Sequence, residues 1–232
     1  MIKTQNRDKI RKMTALAVFA ALAYVVHFFH IPVGFLNLDF KDVVMTVAGM
    51  YFGPLSGLVL AILVPVLEYP TSSTAEYGLI MNILSSVSFV VVASLIYRFK
   101  KTLLGAVVGL ISAVFAMTSV MMVANLIITP FYMGVAREAV AGMIPTMLLP
   151  FNLLKAIINA SLTLCLYKPL TKVLRNAGFG KLRSSGEQAD GGEAAVVRNK
   201  MRTALVWIIG GAIAMASLAI IFLVMGGTVA FN

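Results

Sequence analysis

The sequence predicts an all-α membrane protein, and composition and the distribution of charge both point to that class. Hydrophobic residues make up 60% of the 232 residues and charged residues only 12%, whereas a soluble domain carries about 25% charged residues. Apolar stretches close to the length of a transmembrane helix recur along the chain, and most charges lie between them. We therefore expect a multi-pass protein of the cell membrane.

The first three predicted helices lie close together in the sequence. The first runs from Met13 to Phe29, and its basic N-terminal flank without a cleavage site indicates an uncleaved span. The apolar tract that follows is too long for one comfortable span, and Gly53-Pro54 interrupts it. Because Gly-Pro breaks a helix and Pro suits the first turn of a new one, we expect two short helices, 42–52 and 54–68.

Three more helices complete a predicted six-helix domain over residues 1–176. They cover residues 78–97, 103–128 and 146–167, with a short interfacial helix between the last two. Residues 177–202 are polar and rich in Gly, Ser and Glu, a composition typical of a flexible linker. The segment 203–232 then contains one additional transmembrane helix, over about 203–223.

Basic residues predict the orientation. With the N-terminus inside, every Lys and Arg except Lys41, Arg137 and Lys155 falls on the cytoplasmic side or in the linker, as the positive-inside rule requires. The C-terminus would then be extracellular. Orientation and anionic lipid account for the net charge of +10, so no nucleic-acid partner is needed.

The sequence gives no support for enzyme chemistry or for a metal. It contains no P-loop, no HExxH motif and no Cys/His ligand spacing, and no Ser is visibly paired with a base. His27 and His30 lie three residues apart at a predicted interface, where a structural role is more common than metal binding. We expect no catalytic residues, no metal and no cofactor.

Charged residues in "LDFKD" stand between the first two helices, on the predicted outer face. Asp42 is placed to cap the second helix, and Lys41 to balance the two neighbouring carboxylates. Asp39 lies outside the helix, where its carboxylate can accept hydrogen bonds from a hydroxylated ligand. The loop at 68–82 is also on this face, is rich in hydroxyl groups and includes the small residues Ala75 and Gly78.

Three polar side chains lie within or near apolar helices. Asn125 is near the end of the fifth helix, while Asn152 and Lys155 share one face of the sixth because they are three residues apart. Packing between helices is the alternative for Asn125, and snorkelling to the interface is the alternative for Lys155. Together the three suit a planar heteroaromatic ring with alternating carbonyl and N–H groups.

The first helix carries a ridge of small residues. Ala17 and Ala21 are one turn apart, and Ala20 lies beside them. Such a ridge allows another helix to pack closely, either within this chain or from a partner protein.

These motifs together resemble one family. The Ala-rich first helix, "FGPLSG", "LDFKD", "EYGLIMN", the "TPFY" ending and "PFNLLK" resemble the riboflavin-binding substrate (S) component of energy-coupling factor (ECF) transporters, over roughly residues 13–176. The resemblance implies a six-helix S-component bundle that captures riboflavin at the outer face. It also implies two kinds of partner, a transmembrane coupling subunit and two ABC-type ATPases, with riboflavin as the transported ligand.

The resemblance also implies roles for individual residues. Those expected near the ribityl chain are Leu38, Asp39, Ala75, Glu76, Tyr77 and Gly78. Asn125, Asn152 and Lys155 are expected at the isoalloxazine edge. The ridge of Ala17, Ala20 and Ala21 matches the surface that docks on the coupling subunit.

Two alternatives and one departure from the family remain at this point. The chain could be an S component for another vitamin, or a membrane scaffold subunit without a small-molecule ligand. The family pattern ends after the sixth helix, so the linker and the 203–223 span are additions, and an anchor or a dimerisation helix are the roles we expect for that span.

Overall fold

The computed structural model describes residues 2–34, 36–71 and 75–176, and this part of the chain is predominantly helical. Its helices are α1 (Ile2–His27), α2 (Lys41–Phe52), α3 (Pro54–Glu68), α4 (Ala75–Phe99), α5 (Leu103–Met133), α6 (Arg137–Met143) and α7 (Leu149–Asn176). A 3₁₀ turn at Tyr69–Thr71 follows α3, and a π-helical turn at Ile144–Leu148 joins α6 to α7. The predicted linker at 177–202 and the predicted span at 203–223 lie outside the described residues.

Within residues 2–34, 36–71 and 75–176, four helical stretches are long and apolar enough to cross a membrane: Lys9–His27, Glu76–Phe99, Leu103–Met133 and Arg137–Leu174. The third helix, α3, is apolar but has only 15 residues. The second, α2, has 12 residues, and all of them are buried. The bundle therefore surrounds one short helix completely, which explains why a charged sequence such as Lys41-Asp42 lies in its interior.

The predicted break between α2 and α3 is confirmed. Gly53 ends α2 with φ of +102°, a conformation that strongly favours glycine. Pro54 then begins α3, where its missing N–H removes no helical hydrogen bond. The two helices fold back on each other closely, and a Cβ atom added to Gly57 would lie 3.1 Å from the Cα of Gly49.

A two-stranded hairpin, not predicted from the sequence, connects α1 to α2. Strands β1 (Ile31–Val33) and β2 (Leu36–Leu38) are antiparallel, with Ile31 opposite Leu38. Val33 and Leu38 are buried against Phe151 and Ile158 of α7. The all-α prediction is therefore corrected by this small hairpin, which packs on α7.

Several helices have bounds that differ from the prediction: α1 begins at Ile2 instead of Met13, and α4 covers Ala75–Phe99 instead of 78–97. The fifth helix was expected to stop at Ile128, but α5 continues through Pro130 to Met133 and ends at Gly134 with φ of +65°. The sixth was expected over 146–167, but α7 begins at Leu149 and continues through Pro169 to Asn176. An internal proline removes one helical hydrogen bond and crowds the preceding turn, so tertiary contacts must offset its cost. In the extended part of α7, Leu174 supplies such a contact, because it is buried in the core with α1 and α2.

Candidate functional site

A cavity of about 220 Å³ opens at one end of the bundle. It lies where α1, α3 and α5 end and where α4 and α7 begin, beside the hairpin. The residues of its wall are His27, His30, Leu36, Asn37, Asp39, Pro65, Glu68, Tyr69, Tyr77, Gly78, Leu79, Met81, Asn82, Ser85, Met121, Asn125, Ile128, Thr129, Tyr132, Phe151, Asn152 and Lys155. Aromatic, aliphatic, amide and charged groups are all represented, as in sites for small organic ligands.

One face of α7 supplies polar groups to the cavity region. Asn152 and Lys155 line the cavity and are almost fully buried, and Asn159 lies one turn further along α7. The Nζ atom of Lys155 donates to Oδ2 of Asp39 at 3.0 Å and to the carbonyl oxygen of Asn37 at 3.4 Å. Asn159 Nδ2 donates to the backbone carbonyl of Asp39 at 3.3 Å. Lys155 is only 7% exposed, so it is held by the hairpin rather than snorkelling to an interface.

Asp39 faces the cavity from the end of the hairpin. Its Oδ2 atom lies between two ammonium groups, at 3.0 Å from Lys155 Nζ and 3.9 Å from Lys41 Nζ. Burial alone would raise the pKa of Asp39, but the positive charges of Lys155 and Lys41 outweigh it and hold the pKa below the ordinary value. Its buried Oδ1 atom accepts no hydrogen bond from the described residues. Asp39 is therefore an ionised acceptor with capacity for a ligand hydroxyl.

Asn125 supplies a second amide from α5. It is fully buried and lines the cavity. Its Nδ2 donates to the carbonyl of Met121 at 2.7 Å, and its Oδ1 accepts from the Thr129 hydroxyl at 2.9 Å. These bonds are within α5, as is the bond from Asn152 Nδ2 to Leu148 O within α7, at 2.8 Å. Both amides are thus held in fixed orientations by their own helices.

A second group of polar residues, around Glu68, also lines the cavity. These residues were not predicted from the sequence as part of the site. Glu68 is 2% exposed at the end of α3, and its Oε2 atom accepts from Lys41 Nζ. Asn82 Nδ2 donates to the same oxygen at 3.1 Å, and His27 Nδ1 lies 3.4 Å from it. The i, i+3 spacing of Asn82 and Ser85 in an apolar helix is the signal that could have located this wall.

The prediction that Asp42 caps α2 is wrong. The residue before α2 is Phe40, which makes no side-chain capping bond. Asp42 is fully buried, and its Oδ1 accepts from the Ser86 hydroxyl of α4 at 2.6 Å. Because α2 is surrounded by other helices, its first-turn carboxylate meets a hydroxyl of a neighbouring helix.

The other predicted ligand residues have different positions. Tyr77 and Gly78 line the cavity, whereas Glu76 is exposed and is not part of the wall. Ala75 is the first residue of α4, and the structure describes its backbone but not its side chain. Leu38 is 1% exposed and lies in the cluster with Phe151 instead of in the cavity wall. Leu38 therefore packs in the core beneath the hairpin, whereas Leu36 and Asn37 of the same strand line the cavity.

The alanine ridge is divided between two environments. Ala17 and Ala21 are exposed on α1, which leaves them on an outer face of the bundle. Ala20 is 5% exposed and lies in the core formed with α2 and α3. Ala20 is thus an internal packing residue, and the surface available for a partner contains Ala17 and Ala21.

His27 and His30 stack with ring centroids 5.8 Å apart, and both line the cavity. Within residues 2–34, 36–71 and 75–176, no group of three His, Cys, Asp or Glu side chains has the arrangement of a metal site.

Comparisons with known proteins give the family. The family model described as "ECF transporter, substrate-specific component" matches residues 11–167. The riboflavin transporter RibU of Staphylococcus aureus is 29% identical over 180 residues, which cover 73% of this chain and 95% of the relative. The riboflavin transporter FmnP of Bacillus subtilis is 24% identical over 164 residues, covering 65% of this chain and 86% of the relative.

A solved structure agrees with the sequence relatives. The S component of a bacterial ECF transporter superposes with a TM-score of 0.63 and 29% identity, over 72% of this chain and 99% of that chain. The members of this family are transporter subunits that bind a substrate, and the chain is accordingly not an enzyme. On the family match and the shared fold, this chain belongs to the substrate-specific (S) components of ECF transporters.

Proposed function

We propose that this S component binds riboflavin in the cavity described above, at the outer face of the cell membrane. The observation that carries the proposal is the convergence of Asn125, Asn152, Lys155 and Asp39 on one cavity with aromatic walls. Riboflavin combines a planar ring that carries alternating carbonyl and N–H groups with a chain of hydroxyl groups. The names of the two relatives, both riboflavin transporters, support the same ligand.

The proposed division of roles follows from the chemistry of the side chains. Asn125 and Asn152 have fixed amides that offer both a donor and an acceptor, which suits the edge of the isoalloxazine ring. Lys155 supplies a cationic donor for a ring carbonyl. Asp39 accepts from a ribityl hydroxyl, and Tyr77 and Gly78 flank that chain. Leu38 supports the hairpin from the core side and has no direct ligand contact in this proposal.

In this proposal the cavity faces the outside of the cell, and the distribution of basic residues supports that orientation. Five helices contribute to the cavity only near one end, whereas Lys12, Lys100, Lys101, Lys168 and Lys172 lie towards their other ends. With the basic end in the cytoplasm, the N-terminus is cytoplasmic. The additional span at 203–223 would then bring the C-terminus outside.

We further propose that transport requires an ECF coupling subunit and two ABC-type ATPases. The exposed Ala17 and Ala21 face of α1 is the docking surface in this proposal, because small residues allow a partner helix to approach closely. Riboflavin is the transported ligand and no cofactor is involved.

Quenching of riboflavin fluorescence on titration with the purified full chain tests the ligand assignment. We expect saturable quenching that unlabelled thiamine or biotin does not reverse. Binding of another vitamin by protein that does not quench riboflavin fluorescence would support an S component for that vitamin. No binding of any of these ligands by folded protein would favour a scaffold subunit and contradict the proposal.

A further inference from the structure

The acidic wall of the cavity contains two carboxylates joined by one buried ammonium group. Glu68 from α3 and Asp39 from the hairpin both line the cavity. Lys41 lies behind them, is 0% exposed and is not part of the wall. Its Nζ atom donates to Glu68 Oε2 and lies 3.9 Å from Asp39 Oδ2. The two wall carboxylates are therefore held by the same cation.

Side chains from three other helices also hold Glu68 in place. His27 of α1, Lys41 of α2 and Asn82 of α4 all approach its Oε2 atom. Such convergence fixes the position of a glutamate side chain, which otherwise has several rotatable bonds and a high cost of ordering. The carboxylate is thus preorganised at the edge of the cavity before any ligand arrives.

The chemistry of this wall selects a hydrogen-bond donor. Asp39 is ionised and can only accept hydrogen bonds, and Glu68, which is held by Lys41, presents further carboxyl oxygens beside it. The buried Ser85 hydroxyl, which also lines the cavity, makes no hydrogen bond with the described residues. A ligand with a chain of hydroxyl groups can donate hydrogen bonds to the carboxyl groups of this wall and can also pair with the Ser85 hydroxyl. The ring-binding amides, Asn125 and Asn152, come from α5 and α7, whereas Glu68 and Ser85 come from α3 and α4.

We propose that Glu68 is a second carboxylate that binds ligand hydroxyls, beside Asp39, and that Lys41 is the positioning residue that holds both carboxylates in place. This inference rests on the proposed binding of riboflavin and assigns part of its specificity. Without Lys41, Glu68 would lose its ammonium partner and would share one buried region with the carboxyl groups of Asp39 and Asp42. Repulsion between like charges would disfavour the ionised forms of these carboxyl groups, so their acceptance of ligand hydroxyls would weaken.

The test compares riboflavin with lumiflavin, which has the same ring system but a methyl group in place of the ribityl chain. Fluorescence titrations would use the full chain and the variants Glu68→Gln, Lys41→Met and Lys41→Met/Glu68→Gln. Glu138→Gln and Lys172→Met are matched controls, because Glu138 and Lys172 are exposed and lie outside the cavity wall.

Glu68→Gln is expected to weaken riboflavin binding by roughly tenfold or more, the effect of losing a hydrogen bond to a charged group, with lumiflavin affinity unchanged. Lys41→Met is expected to weaken riboflavin binding more strongly than Glu68→Gln. The double variant should return to the level of Glu68→Gln, because removing the Glu68 charge relieves the repulsion. If Lys41→Met fails to fold, Glu68→Gln and the double variant still test the proposal.

Equal losses for riboflavin and lumiflavin in Glu68→Gln would overturn the proposal, because they would indicate a purely structural role. Unchanged riboflavin affinity in Glu68→Gln would also overturn it, as would a double variant no better than Lys41→Met. Absence of riboflavin binding by the wild-type protein is a different result, which contradicts the proposed function itself.

Discussion

The Nζ atom of Lys155 lies 3.0 Å from Oδ2 of Asp39, although 116 positions separate the two residues in the sequence. The pair joins the hairpin to α7, and both side chains are less than a tenth exposed. Breaking a buried ion pair from one side leaves an unpaired charge, which is more harmful than removing both partners. The pair therefore couples the stability of the bundle to the shape of the cavity.

A double-mutant cycle at this pair tests that coupling. Asp39→Asn is expected to lower the free energy of unfolding by about 3–5 kcal/mol, because it strands the buried charge of Lys155. Lys155→Met is expected to cost less, because Lys41 remains 3.9 Å from Asp39 Oδ2. The double variant should lose less than the sum of the two losses. Thermal or denaturant unfolding of detergent-solubilised protein provides the measurement, and strictly additive losses would show that the two charges act independently.

The pH dependence of the same pair follows from the lowered pKa of Asp39. A carboxylate whose pKa is lower in the folded state contributes stability above its unfolded value and loses it as the pH falls through the folded value. The difference in unfolding free energy between wild type and Asp39→Asn should thus stay constant from about pH 8 to about pH 5. It should shrink only below the ordinary value of 3.8. A difference that already declines between pH 8 and pH 5 would contradict the lowered pKa.

The contact between Asp42 and Ser86 gives a prediction about stability alone. The Ser86 hydroxyl donates to Asp42 Oδ1 at 2.6 Å, and neither residue lines the cavity. Ser86→Ala should lower stability by about 1.5–3 kcal/mol, because a buried carboxylate loses a hydrogen bond. Ser88→Ala is the control, since the Ser88 hydroxyl bonds to the Ser85 carbonyl of its own helix. A Ser86→Ala protein as stable as the Ser88→Ala protein would show that the contact contributes little.

The proposed docking face on α1 can be tested by adding bulk. Ala17→Leu and Ala21→Leu extend exposed side chains, so the isolated protein should fold and bind riboflavin normally. Close packing with a coupling subunit should be weakened by about 1–3 kcal/mol, the usual cost of overpacking. Co-purification with the coupling subunit measures the effect, and Ala139→Leu, exposed on α6, is the control. Undiminished co-purification would place the docking surface elsewhere.

Local sequence signals predicted the parts of the fold that depend on neighbouring residues. Gly53-Pro54 defines the break between α2 and α3 because both residues act on their own backbone. The spacing of Asn152 and Lys155 predicted that they share a face, since helical periodicity alone determines it. Both residues line the cavity.

Contacts between distant segments account for what the sequence did not predict. The hairpin strands have three residues each, and burial of Val33 against Phe151 stabilises them from far along the chain. The partner of Asp42 lies 44 positions away and that of Lys41 lies 27 positions away. Local rules favoured a helix cap for Asp42, and the complete burial of α2 overrode that role. Lys41 was expected to balance its neighbouring carboxylates, and it lies 3.9 Å from Asp39 while also pairing with the distant Glu68.

The most direct test of the central claim, that this cavity is the riboflavin site, is a titration of riboflavin fluorescence with Lys155→Met and Lys172→Met proteins. Both changes remove one ammonium group from α7, but only Lys155 lines the cavity. We expect Lys155→Met to weaken binding by roughly 10- to 150-fold, corresponding to about 1.5–3 kcal/mol, and Lys172→Met to leave affinity unchanged. Equal affinities for the two variants would contradict the account.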